Sequence, residues 1–422
     1  MLSNYSPFYQ KAHKLINLHQ NPYSAYQPTD LHQNTKKYQL YTYIPNHKRS
    51  PKHQIQKSKK PDKDKSEGSK TLKRQRILAS SMPSIILDET TVNTDKTILT
   101  IHPNITKLEN GNVVVSWHKV GAGAGAWGQI WDGTSKQFIG ENFLISMSDE
   151  ANEIKSLQCK ALKNGSSGFL CGWSTELEIF GQFYTSEGVK DGNIWRNFDS
   201  SSHPITGDTF VNIVILDETS IIFTWYTQGP VSQLLLGKKY NYQKEEQGKE
   251  FQPNKKSLPA GENGWGPANQ GIQFPQIAAF ENGHFVVSWF VKGEGIYMQK
   301  FNRNSETVGL DWIVNQTPSE HFSMHMTILQ KQNVAIIWIN DDPSTYKNYV
   351  WLQLLNQNLN KIGQQLVVNA SGLDIVSPYI LPLVSDEFWV SYLEKSEISG
   401  INQWQWWTHK YASTGIEIQT RF

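Results

Sequence analysis

Six times along this chain an apolar, β-rich run ends in an aromatic residue, and that recurrence limits the possible folds more than any other feature. The runs are Val113-Val-Val-Ser-Trp117, Phe169-Leu-Cys-Gly-Trp173, Ile221-Ile-Phe-Thr-Trp225, Phe285-Val-Val-Ser-Trp289, Val334-Ala-Ile-Ile-Trp338 and Phe388-Trp-Val-Ser-Tyr392. Their closing aromatics are 56, 52, 64, 49 and 54 residues apart. A period of this length marks one supersecondary unit copied along the chain.

Each copy has three further parts. An apolar strand precedes the run and closes on an Asn-Gly-type turn, clearest in Pro103-Asn-Ile-Thr-Lys-Leu-Glu-Asn-Gly111 and Pro275-Gln-Ile-Ala-Ala-Phe-Glu-Asn-Gly283. Asn and Gly tolerate the positive φ of tight hairpins, so these two strands form a hairpin. A third strand is centred on Gln129-Ile-Trp131, Gln182-Phe-Tyr184, Lys238-Lys-Tyr240, Gln299-Lys-Phe301, Gln353-Leu-Leu355 and His409-Lys-Tyr411. A polar turn with a glycine at or near its end follows: Gly140, Gly192, Gly248, Gly309, Gly363 and Gly415. A short fourth strand closes the unit, as in Trp312-Ile-Val-Asn315 and Leu366-Val-Val-Asn369. No helical period interrupts the series, so the unit is a four-stranded antiparallel meander.

The second strand is apolar on both faces. Val113, Val115 and Trp117 share one face, Val114 and Ser116 the other. The residue before the aromatic is Ser116, Gly172, Thr224, Ser288, Ile337 or Ser391, small in every copy but the fifth. Large on one face and small on the other suits radially stacked sheets, each Trp packing over its neighbour's small residue and contributing about 2–3 kcal/mol. The expected fold is all-β, a six-bladed β-propeller of four-stranded antiparallel blades over residues 86–422, with repeats of about 50–60 residues. Thr91-Val-Asn-Thr94 offers a surplus outer strand, which leaves two candidates, that segment and Ile416-Glu-Ile-Gln419, to complete the last blade.

The run Asn282-Gly-His-Phe-Val-Val-Ser-Trp289, followed by Tyr297-Met-Gln-Lys-Phe301, Gly309 and Ile313-Val-Asn315, resembles a repeat of large microbial surface proteins of the adhesin-like type. That resemblance implies a propeller and a binding module more than an enzyme. It covers residues 86–422, is clearest in copies one and four, and departs most in copy three, where residues Gln252 to Gln270 are inserted.

Charge divides the chain at the same boundary. The formal net charge of +2 is the sum of +12 over residues 1–85 (16 basic, 4 acidic) and −10 over the rest (24 basic, 34 acidic). All 15 tryptophans fall between Trp117 and Trp407. The stretch from Lys48 to Arg76 carries Lys57, Lys59, Lys60, Lys63, Lys65, Lys70, Lys73 and Arg74 with little apolar surface, so residues 1–85 are expected to form a disordered basic arm. Such an arm suits an anionic partner, either an acidic protein surface or nucleic acid. No apolar run approaches the ~20 residues of a transmembrane helix, and no apolar segment after Met1 reads as a secretory signal.

Candidate ligand-binding residues lie in the loops expected to share one rim: Trp127, Asp149, Glu150, Trp265, Asp341, Asp342 and Trp404. Exposed aromatics beside acids suit a sugar or a peptide. An arginine-clustered sialidase-type site is disfavoured, because Arg196, Arg303 and Arg421 are the only body arginines and all map to outer strands, turns or the C-terminus. The histidines show no metal-ligand spacing, Asp341-Asp342 lacks a calcium-loop pattern, and Gly121-Ala-Gly-Ala-Gly125 lacks the lysine of a phosphate loop. No metal, cofactor or catalytic residue is therefore assigned. Cys159 and Cys171 fall across one hairpin, paired or, as two buried free thiols, suited to a reducing compartment. Sequons stand at Asn104, Asn164, Asn315 and Asn369. The expected function is a non-enzymatic binding or scaffold protein that holds a protein or glycan partner at the rim. The alternative is a carbohydrate hydrolase, in which rim carboxylates converge.

Overall fold

The computed structural model describes residue 92 and residues 99–120, 124–147, 153–175, 178–196, 210–228, 232–254, 258–259, 272–291, 294–315, 321–342, 347–369, 374–383, 386–398 and 401–421. The basic arm over 1–85 lies outside the described residues. Blade one comprises β1 (Leu99–Lys107), β2 (Val113–Val120), β3 (Gly125–Trp131) and β4 (Phe138–Met147). Blade two comprises β5 (Ser156–Ala161), β6 (Phe169–Ser174), β7 (Ile179–Tyr184) and β8 (Lys190–Arg196). Blade three comprises β9 (Val211–Ile215), β10 (Ser220–Gln228), β11 (Ser232–Asn241) and β12 (Leu258–Pro259). Blade four comprises β13 (Ile272–Ala279), β14 (Phe285–Val291), β15 (Gly295–Phe301) and β16 (Thr307–Ile313). Blade five comprises β17 (His321–Ile328), β18 (Val334–Asp342), β19 (Lys347–Leu355) and β20 (Lys361–Val367). Blade six comprises β21 (Ile375–Pro382), β22 (Glu387–Ile398), β23 (Ile401–Ala412) and β24 (Glu417–Arg421). Every sheet is an antiparallel meander in chain order, and the fold is an all-β, six-bladed propeller.

The two-faced second strand sets how the blades stack. Phe169, Cys171 and Trp173 pack with Val114, Ala126 and Ile130 of blade one. Ile221, Phe223 and Trp225 pack with Leu170 and Phe183 of blade two. Phe285, Val287 and Trp289 join Ile222 and Leu235 of blade three, and Val334, Ile336 and Trp338 join Val286 and Phe290 of blade four. Phe388, Val390 and Tyr392 complete the series on Ala335, Ile337 and Ile339 of blade five. In blades two to six the aromatic face thus looks back at the preceding blade. The contact at the small residue is finer than expected. A Cβ on Gly172 would stand 2.3 Å from Ile213 Cδ1 and 3.1 Å from Phe223 Cε1, so the first strand and the residue two before the aromatic occupy that space, not Trp225 itself.

The glycines placed in turns by sequence lie elsewhere in four blades. Gly140, Gly192, Gly309 and Gly363 sit inside the fourth strand with φ of 65°, 70°, 76° and 66°, and that strand starts earlier than its apolar residues suggest. Each marks a bulge, where the register to the third strand slips. The third-strand glutamine fills the gap. Gln129 Nε2 donates to the carbonyl of Gly140 (3.1 Å), Gln182 Nε2 to that of Gly192 (3.1 Å), Gln299 Nε2 to that of Val308 (3.3 Å) and Gln353 Nε2 to that of Ile362 (3.4 Å). A bulge frees a carbonyl from the ladder, and the amide satisfies it. Blade three has Lys238 at this position, paired with Glu246 (2.6 Å), and its outer strand is two residues long within the insertion.

The last blade is completed by β24, next to β23, and among the described residues no strand is exchanged across the ring. Val92 of the surplus segment instead accepts a hydrogen bond at its carbonyl from Asn142 Nδ2 of blade one (3.1 Å). Ile105 is 64% exposed, whereas its equivalents Cys159, Ile213 and Ile380 are at 0%. Tyr379 and Leu381 of blade six are also exposed.

Candidate functional site

The rim formed by the second-to-third-strand hairpins holds most of the described candidates, on strands instead of loops. Asp341 and Asp342 end β18, paired with Asn348 and Lys347, and Trp404 lies on β23 opposite Lys395, because the hairpins of blades five and six continue as ladder past the expected loop. Trp127 is the third residue of β3, opposite Trp117, half-buried, with Lys119 Nζ 4.0 Å from its ring centroid. Asp149, Glu150 and Trp265 lie outside the described residues.

Three carboxylates near this rim are engaged. Glu153 pairs with Lys155 (2.7 Å) and Asp374 with Lys395 (3.3 Å). Glu294 accepts from the Tyr297 hydroxyl (2.7 Å); burial first, then this carboxylate, pushes that phenol up to about 12. Sequence reasoning missed Tyr297 and Glu294, which a Gly-Glu-Gly hairpin next to a tyrosine could have signalled. Elsewhere Asp132, Glu187, Asp217 and Asp386 all lie below the usual carboxylate range. Turn amides and hydroxyls hold Asp132 and Glu187 ionised; at Asp217 and Asp386 burial opposes the shift but is outweighed by hydrogen bonds and a nearby Arg303 or Lys331. Every described carboxyl that shifts is therefore held in its charged form. Arg196 lies on β8, Arg303 pairs with Asp217 (3.3 Å) and Arg421 ends β24, all away from the first strands.

A second arrangement was not legible as a site. Opposite the small residue of each second strand stands one first-strand residue: Asn104, Gln158, Asn212, Gln276, His325 and Tyr379. All six are polar, forming a girdle at one level of the ring. Three link blades through the same bond. The Cys159 amide donates to Asn104 Oδ1 (3.3 Å), the Ile213 amide to Gln158 Oε1 (3.3 Å) and the Ile380 amide to His325 Nδ1 (3.2 Å). Gln158 Nε2 also donates to Asn212 Oδ1 (2.8 Å). The signal available in sequence was a polar residue at one fixed place in each first strand, masked by its four different identities.

His325 has a determined protonation. Its Nδ1 accepts an amide proton, so the ring proton sits on Nε2. Dehydration, then the Lys160 charge, pulls its pKa down to about 3. The Tyr379 ring packs against it at 4.1 Å between centroids. An unfolded histidine takes up a proton near pH 6.5; the folded one stays neutral to about 3. In that window the unfolded state binds more protons, so stability falls as pH drops. His325→Gln, which copies blade two's acceptor, is expected to remove part of this acid sensitivity. Urea midpoints at pH 7 and pH 4 measure it, and an unchanged difference between the two pH values would reject the assignment.

Cys159 and Cys171 are joined in a disulfide, directly opposite on β5 and β6 with Cα atoms 4.0 Å apart and both fully buried. Of the two alternatives the sequence left open, the structure has the pair. Of the sequons, Asn315 and Asn369 are buried and their Oδ1 atoms accept the amides of Ile296 and Val350 (2.7 Å each), whereas Asn164 is exposed in a turn. Among the described residues no helix is long and apolar enough to cross a membrane, and no cluster of potential metal ligands occurs.

The sequence matches no family model and no curated protein. Solved propellers resemble it in chain path. The fungal lectin of Aleuria aurantia, a six-bladed propeller, is 10% identical at a TM-score of 0.44 and covers 77% of this chain and 95% of its own. The α-L-arabinofuranosidase Arb93A of Fusarium graminearum is 12% identical at 0.46, covering 74% and 93%. The polysaccharide lyase Uly1 is 8% identical at 0.42, covering 75% and 81%. At these values neither a ligand nor a reaction transfers from those proteins to this chain.

Proposed function

We propose that this chain is a non-enzymatic binding protein whose propeller rim holds a glycan or protein partner, with the basic arm as an electrostatic tether. The supporting observation is the composition of the rim: Trp127 offers a half-exposed ring beside the Lys119 ammonium, while Glu153 and Asp374 pair with lysines and Glu294 with a tyrosine. A glycoside hydrolase needs one carboxyl held protonated to act as general acid. The described shifts all run the other way. Sugar rings stack on indole faces, and such anchors dominate recognition.

Full-length protein applied to arrayed neutral and acidic oligosaccharides is expected to retain a subset. Trp127→Ala should weaken that retention by about tenfold or more. Deleting residues 1–85 should leave retention intact while removing salt-sensitive capture of anionic partners from a lysate. Release of reducing ends from any retained sugar would overturn the binding reading in favour of hydrolysis.

A further inference from the structure

The sequon asparagines among the described residues differ in what their side chains already do. Asn315 and Asn369 are 1% and 6% exposed, and each Oδ1 accepts a strand amide at 2.7 Å. Neither has room for a sugar, and neither can turn outward without losing that bond. Asn104 is half-buried in the girdle, where its Oδ1 accepts the Cys159 amide (3.3 Å). The Thr106 hydroxyl of the same sequon donates to the Cys159 carbonyl (2.6 Å).

Asn164 stands apart, at the tip of the β5–β6 hairpin, exposed together with Lys163, Gly165 and Ser166. Ser166 donates to Asn164 Oδ1 through its amide (3.2 Å) and its hydroxyl (2.6 Å). Only the oxygen of the side-chain amide is thereby engaged, and among the described residues Nδ2 has no hydrogen-bond partner. Gly165 follows at a φ of 75°, and a Cβ built on it would meet nothing within 4 Å, so the space beside the asparagine is open. The base of the tip is fixed. The Leu162 amide donates to the Gly168 carbonyl (3.0 Å), the Lys163 amide to the Tyr242 hydroxyl (3.4 Å) and Lys163 Nζ to the Leu216 carbonyl (3.5 Å).

The disulfide of the same hairpin is an independent observation. Cys159–Cys171 joins β5 to β6, and such bonds form and persist where the environment is oxidising. Glycosylation of Asn-X-Ser/Thr belongs to surface loops of secreted proteins. Nothing after Met1 reads as a secretory signal, and the disulfide is what points to that compartment.

We propose that Asn164 is N-glycosylated in an oxidising compartment, from a polyprenyl-diphosphate-linked oligosaccharide. The anomeric carbon separates from the phosphate oxygen, which keeps the bonding electrons, and bonds to Nδ2 as that nitrogen loses one proton. In each meander the first-to-second-strand hairpin and the second-to-third-strand hairpin lie at opposite ends of the sheet. The glycan therefore stands away from the rim of Trp127, and its presence does not rest on the rim reading.

Full-length protein purified from the cells that make it is digested, treated with peptide-N-glycosidase in heavy-oxygen water and read by mass spectrometry. That enzyme converts a glycosylated asparagine to aspartate, so heavy oxygen is expected at position 164 and not at Asn315 or Asn369. Asn164→Gln and Ser166→Ala, made in the same cells, should each lose the glycan's mobility shift on a denaturing gel. Ser166→Thr keeps the sequon and should retain the shift. Circular dichroism checks that each variant is folded. Trp127→Ala should keep the glycan, which separates failure here from failure of the rim reading. No heavy oxygen at position 164, its appearance at Asn315 or Asn369, or an unchanged mobility shift in folded Asn164→Gln would overturn the proposal.

Discussion

Trp338→Ala is expected to lower the unfolding free energy by about 3–5 kcal/mol, the largest effect of any single truncation here. The indole is fully buried between blades four and five, in contact with a cluster that includes Val286, Phe290, Met298 and Met326. Its removal forfeits the transfer free energy of an aromatic side chain and leaves a cavity that two rigid sheets cannot close. The cost arises at a seam between repeats, so it reports whether the ring is held by blade-on-blade packing. Trp406→Ala is the matched control, 47% exposed on blade six and expected within about 0.5 kcal/mol of wild type. Urea unfolding followed by far-ultraviolet circular dichroism measures both. A Trp338→Ala midpoint as close to wild type as that of Trp406→Ala would reject the stacking account.

Loss of the Cys159–Cys171 disulfide is expected to cost about 3 kcal/mol, because a short cross-linked loop restricts the unfolded chain. The two residues are 12 apart in sequence and face each other across the hairpin of blade two. The bond is also packed: both sulfur-bearing residues join Phe169, Trp173 and Val114 at the seam with blade one. Alkylation in denaturant without reductant should label no thiol, and labelling after reduction should reach both cysteines. Unfolding with and without reductant gives the stability difference. Two reactive thiols in protein matured under oxidising conditions would refute the bond, which forms and persists only where the environment is oxidising.

Much of the architecture was legible because a repeat averages out local ambiguity. A single run such as Val334 to Trp338 fits a strand or a buried helix, but six such runs at near-constant spacing, each with a hairpin turn before it, leave one unit. The bulges were misplaced for a local reason. Gly140 and its equivalents look like turn glycines, yet their positive φ serves a register slip that only the facing glutamine explains. The ladder through Asp341, Asp342 and Trp404 was equally hidden, since extended hairpins keep pairing beyond their apolar residues.

The candidate site divides in the same way. Trp127 was identifiable as an aromatic near a hairpin, but its Lys119 partner depends on strand register. The sequence alone determined the repeat, the number of blades and the two-faced second strand, because periodicity and side-chain size are properties of the chain itself. Tertiary structure alone decided the disulfide, the bulges, the polar girdle and the exposure of Ile105. Each of these depends on which residues a ring brings face to face, and closing the ring is a long-range event that no local pattern records.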